Sequence, residues 1–178
     1  MPDRYKGRLK RLSSEFYKGK AYVHWTFTTN SRATGWLNKA HQDELREALS
    51  HWLVRYHQCC PVFCLMPDHA HFVSIGLNQH AEQLALIREF SREWNKLLHP
   101  IQLSKQAYDN VLREDDRAHD AFPSLIHYIL QNPVRKGLVT RWQDWPYSGT
   151  ILPGYPHLDI RKDYFWENFW KGYNQQAD

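Results

Sequence analysis

The sequence predicts an α+β fold: a ferredoxin-like split βαβ sandwich. In it an antiparallel-containing sheet of four to five strands carries helices on one face. One further helix and an aromatic C-terminal tail follow. Three observations predict this. The candidate elements run β-α-β-β-α-β. Segments rich in β-branched and aromatic residues alternate with segments whose apolar residues recur at helical spacing. The dipeptide Pro67-Asp68 ends one apolar run and begins another, as a tight turn between strands does.

Taken in order, residues 21–29 form the first strand. Residues 38–57 form the first helix, with Ala40, Leu45, Ala48, Leu49, Trp52, Leu53 and Tyr56 on its apolar stripe. Residues 61–66 are the second strand, and the third begins at His69. Asn78 is the expected cap of the second helix, whose apolar face is Leu84, Ile87, Trp94, Leu97 and Leu98. Residues 106–113 suit a fourth strand and a charged loop follows. A third helix runs over 121–132, with Pro123 in its first turn and Pro133 ending it. The chain divides into a basic arm (1–19), a folded domain (20–150) and a tail (151–178). The tail's Tyr164, Phe165, Trp166, Phe169 and Trp170 need a surface to pack on.

With 178 residues the chain suits one domain with a sizeable core. Its net charge of +4 is uneven: residues 1–20 hold seven Lys or Arg against Asp3 and Glu15, a net +5 that leaves the remainder at −1. Such an arm suits a polyanionic partner, nucleic acid first, or is simply solvated. No run is long and apolar enough to span a membrane, and no apolar signal core opens the chain. The three cysteines (Cys59, Cys60, Cys64) are odd in number and crowded, which argues against a disulfide framework and for a reducing cytosol. With His57 they form a poor match to structural zinc spacings.

The sharpest local signal is His69-Ala70-His71 at the start of a strand. Alternation points both imidazoles to one side, about 7 Å apart at Cα, where they could share a divalent cation or sit half-buried in the core. His24 could approach them from the first strand, with a structural role the expectation. On the third helix Tyr128 and Asn132 are four apart and share a face. The amide oxygen of Asn132 suits a third ligand position, with Gln131 the fallback if the helix rotates. A phenol one turn away then suggests attack by Tyr128 on a phosphodiester; a buried, satisfied tyrosine is the plainer reading.

Met66-Pro67-Asp68-His69-Ala70-His71-Phe72, followed by residues 128–139 (Tyr-Ile-Leu-Gln-Asn-Pro-Val-Arg-Lys-Gly-Leu-Val), resembles the signature of REP-associated tyrosine transposases, which are single-tyrosine HUH nucleases. Residues 107–114 and Trp145-Pro146-Tyr147-Ser148 resemble that family too, so the likeness spans roughly 20–150. The resemblance implies that His69 and His71 bind a metal ion (Mg2+ or Mn2+), that Asn132 completes the ligand set, and that Tyr128 is the nucleophile. The implied reaction is transesterification of single-stranded DNA with imperfect hairpins, through a 5′-phosphotyrosine and without ATP. It also implies a bacterial, cytoplasmic, nucleoid-associated protein.

Phosphate contacts are expected from Arg88, Arg92 and Lys96 on the second helix, Arg113 beside the site, and Arg135 and Lys136 just past the nucleophile. A monomer is expected, with a homodimer as the alternative. Two other functions compete. One is a domesticated hairpin-binding protein with little or no chemistry. The other is a histidine-triad-like nucleotide enzyme, disfavoured because position 73 is Val rather than a third alternating His.

Overall fold

The structure, a computed structural model, describes residues 11–113 and 120–177. Its sheet contains β1 (Tyr22–Thr28), β2 (Gln58–Met66), β3 (His69–Gly76), β4 (Tyr108–Leu112) and β5 (Ser148–Ile151). Their order is β4-β1-β3-β2-β5, and every neighbouring pair is antiparallel. β1 and β2 are the parallel pair of the split unit, with β3 inserted between them.

The two helices of the split βαβ unit share one face, as expected, and the further helix and the tail cover the other. α1 (Lys39–Arg55) and α2 (Gln83–Leu97) pack on one face, against Val23, Trp25, Phe27, Phe63 and Phe72. α3 (Ala121–Leu130) and α5 (Phe165–Gln176) cover the other, over Val62, Met66, Val73 and Ile75. A short α4 (Asn132–Arg135) follows α3. The sheet is therefore a middle layer, and β2 and β3 are buried along their whole length.

Local chemistry explains most boundaries. Asn38 caps α1 by accepting from the His41 amide at 2.9 Å. Asn78 does not cap α2: its Oδ1 accepts from the His80 amide in a turn, and the helix starts five residues later. The apolar face of α2 is accordingly rotated, with Leu86, Ile87, Phe90 and Trp94 buried. The first turn of α2 is fixed by a buried network. The Gln83 side chain accepts from Trp25 Nε1 at 3.1 Å and from the Ser74 hydroxyl, and donates to the Ala21 carbonyl at 2.8 Å. β2 begins earlier than the expected residue 61. Pro61 falls at a bulge between Cys59 and Val62, where a residue without an N–H costs the ladder nothing. That bulge also sends Cys60 to one face and Cys59 and Cys64 to the other. All three thiols are buried, and burial pushes them up, Cys64 to about 11.

Both ends of the described chain are tied to the sheet. Residues 1–10 of the expected arm lie outside the described residues. Tyr17 packs against Trp25 and donates to Asp109 at 2.5 Å, and Arg11 pairs with the same carboxylate at 3.0 Å. Burial, then the bonded carboxylate, pushes the Tyr17 phenol up to about 12, which keeps it a donor. In the tail, Phe165 and Phe169 are fully buried and Tyr173 donates to the Gly76 carbonyl at 3.0 Å. Arg161 holds the preceding loop by donating to the Trp145 and Ser148 carbonyls. Phe169→Ala should lower unfolding free energy by about 3–5 kcal/mol in a single urea transition. A small loss, or a separate early transition, would show the tail to be an appendage.

Candidate functional site

On β3 the alternation is strict. Ala70, Phe72 and Ser74 face α1 and α2, whereas His69, His71, Val73 and Ile75 face α3. β1 is in register without a bulge, Thr26 opposite His71 and Thr28 opposite His69. Tyr22, His24 and Thr26 therefore share the histidines' side of the sheet.

The two imidazoles are buried, with centroids 4.9 Å apart. His69 Nδ1 lies 2.6 Å from Asp68 Oδ1. A carboxylate at its ordinary charge only accepts, so the proton sits on Nδ1 and the lone pair on Nε2. Burial opposes ionisation of Asp68, but its bond to His69, the field of that ring and Arg32 at 3.1 Å together hold the carboxyl below its ordinary range. His71 Nδ1 is likewise engaged, by Thr26 Oγ1 at 3.0 Å and His24 Nε2 at 3.0 Å. Burial, then the repulsion a charge on it would meet from His24, His69, Arg135 and Arg32 when these carry theirs, pushes His71 down to about 3, and burial pushes His24 down to about 4. Both are neutral near pH 7, the form in which imidazole ligates.

Tyr128 stands over this pair. It is 47% exposed, and its ring centroid lies 6.1 Å from that of His71. The Arg135 guanidinium lies 4.3 Å from the Tyr128 ring centroid and donates to the Tyr128 carbonyl at 3.0 Å. Asn132 is buried, and its Nδ2 donates to the Tyr128 and Ile129 carbonyls at 3.2 Å each. Those acceptors fix the amide's orientation and turn its oxygen away from them. Gln131 caps the break between α3 and α4, so Pro133 opens a second helix instead of ending the first.

The other sequence candidates scatter. Lys136 is exposed next to Arg135. Arg88 and Arg92 are exposed and paired with Glu89, and Lys96 is exposed one turn on. All three lie on α2, across the sheet from Tyr128. Arg113 is not beside the site. Tyr108 is the β4 residue level with Thr26, and Arg113 follows five positions along, about 17 Å away at strand rise. Its guanidinium lies over the Phe16 ring at 5.5 Å.

Two known proteins resemble this chain. A Haemophilus influenzae protein, provisionally named a REP-associated tyrosine transposase, is 25% identical over 180 residues, covering 92% of this chain and 94% of its own. A solved structure, of a REP-associated tyrosine transposase bound to a REP hairpin, superposes with a TM-score of 0.63 at 20% identity, over 80% of this chain and 81% of that one. The chain resembles the REP-associated tyrosine transposases. No protein-family model matches it. The resemblance to these transposases extends to fold: the α+β architecture with its five-stranded antiparallel sheet matches the solved one. No helix among the described residues is long and apolar enough to cross a membrane.

Thr26 and the pairing of Asp68 with Arg32 carry no local signal in the sequence. The period-2 run Tyr22, His24, Thr26 put one face on view, but which face met the histidines depended on a pairing register that no local signal encodes. Because His24 and His71 are depressed from about 6.5, the folded state takes up fewer protons than the unfolded one in acid. Stability should be full above about pH 6.5 and fall toward pH 4. In chelator-treated protein, urea unfolding at pH 5 should show a loss of about 1–2 kcal/mol per histidine relative to pH 7, and His24→Gln should shrink that difference. Equal stability at the two pH values would contradict burial of neutral rings.

Proposed function

We propose that this chain is a metal-dependent single-stranded DNA endonuclease and strand transferase, acting on hairpin-forming, REP-like DNA through a 5′-phosphotyrosine on Tyr128. The observation that carries the reading is the exposed Tyr128 phenol standing over the His69–His71 pair, with Arg135 against its ring. The resemblance to transposases supplies the substrate class.

Among the described residues, no three His, Cys, Asp or Glu side chains converge as a metal-holding group. The two imidazoles therefore need a ligand of another kind, and the neutral amide oxygen of Asn132, whose Nδ2 is bonded to the Tyr128 carbonyl, has the chemistry for it. Two nitrogens and one neutral oxygen leave positions for water and phosphate, as Mg2+ or Mn2+ requires. When bound, the cation would polarise a non-bridging phosphate oxygen and steady the leaving 3′ oxygen. The chain supplies the rest. Tyr128 Oη bonds to phosphorus as the P–O3′ bond breaks. The phenolic proton passes to solvent and the 3′ oxygen takes one up, leaving a free 3′ hydroxyl and the 5′ phosphate on tyrosine. Attack by a 3′ hydroxyl reverses the step and rejoins strands. Arg135, held by the Tyr128 ring and carbonyl, places a charge beside the attacked phosphate. Arg88, Arg92 and Lys96 lie on the opposite face of the sheet and Arg113 beyond the far end of β4, so a phosphate role for them is one away from Tyr128.

With Mn2+ and a hairpin carrying a single-stranded flank, a 3′-end label should migrate with the protein on a denaturing gel and a 5′-end label should not. Tyr128→Phe or chelator should abolish the adduct. An adduct persisting in Tyr128→Phe would reject the nucleophile. Chelator-insensitive hairpin binding with no adduct from any substrate would favour a binding protein without chemistry. Replacing Arg135 and Lys136 together with Ala should lessen the salt slope of hairpin binding by about 1–2 units, as two lost phosphate contacts would.

A further inference from the structure

We propose that His24 and Thr26 are positioning residues for His71: they hold its Nδ1, so that Nε2 is the nitrogen offered to a cation. The inference rests on the reading of His71 as a ligand. Thr26 Oγ1 and His24 Nε2 each lie 3.0 Å from His71 Nδ1, and the two lie 3.5 Å from each other. A neutral imidazole has one N–H. If His24 or Thr26 donated to Nδ1, the proton of His71 would sit on Nε2 and that nitrogen could not ligate. If Nδ1 carries the proton, Thr26 and His24 are its acceptors and Nε2 keeps its lone pair.

His69 decides between the two arrangements. Its Nδ1 faces the Asp68 carboxylate, which can only accept, so its Nε2 is the ligating atom. The rings lie 4.9 Å apart on one side of β3, and with Nδ1 of each already engaged, Nε2 is the atom each has left for a shared cation. Asp68 and the Thr26–His24 pair then do the same task for the two rings, one with a charge and one without. The neutral version follows from position. His71 is level with Thr26 in the middle of the sheet, while Asp68 lies in the turn, where Arg32 and solvent can balance a carboxylate. Outer partners of this kind set ligand orientation and basicity.

The test uses the full chain and Mn2+ alone. In chelated protein, imidazole 15N spectra should show His71 with Nε2 unprotonated. Thr26→Val with His24→Leu should mix the tautomers and weaken Mn2+ binding, read by calorimetry, by about 10–100-fold. Each single variant should lose less, and Thr26→Ser should retain wild-type affinity. Thermal melts confirm that each variant is folded. If His71→Ala binds Mn2+ as wild type does, the ligand reading fails. If His71→Ala abolishes binding but the double variant keeps both affinity and tautomer, the positioning proposal fails.

Discussion

The fold depends on the alternation of β3. The strand lies at the centre of the sheet and is buried on both sides, so each side chain is committed to one of two cores. A slip of one residue would send Phe72 toward α3 and both histidines into the aromatic cluster of Phe27, Phe90 and Trp94. Three devices fix the register: the unbroken ladder to β1, the tight turn at Pro67-Asp68, and the buried Trp25–Ser74–Gln83 network. None of the three touches Tyr128. The site is a by-product of register.

Much of this frame was legible because its signals are local. Strand alternation over residues 69–75 and helical spacing over 38–57 are each set by short-range geometry, whereas the single helix expected to carry both Tyr128 and Asn132 breaks at Gln131 and leaves Asn132 on α4. The unread parts depend on pairing. β5 is four residues long and was hidden in a Pro/Gly-rich run, and only its ladder to β2 makes it a strand. Arg113 looked adjacent to the site because the β4 register against β1 was unknown. The Asn78 signal was a true Asx turn, overridden as a helix start by Gln83, whose buried bonds fix the first turn. The second helical face stayed invisible because the tail's aromatics call for a docking surface without naming it.

The two ends of the described chain stabilise opposite layers. Tyr17 and Arg11 lock the outer edge of β1 and β4 through Asp109, on the side of α1 and α2. Phe165, Phe169 and Tyr173 close the other side over β3. Among the described residues, the face bearing the buried histidines is covered at one end by α5, and at the other Tyr128 and Arg135 reach solvent. Rigidity at the rings and exposure of Tyr128 come from one division of labour, which is what a preorganised site on a sheet requires.

The buried cysteines have a practical consequence. A thiol reacts as the thiolate, and Cys59, Cys60 and Cys64 are all enclosed and held protonated by burial. Burial and protonation both disfavour their attack on thiol reagents in the native molecule. A single cysteine introduced on the surface could carry a spin label or fluorophore against a low background, with no prior removal of native sulfur. The same three thiols would report only the opening of the sheet itself.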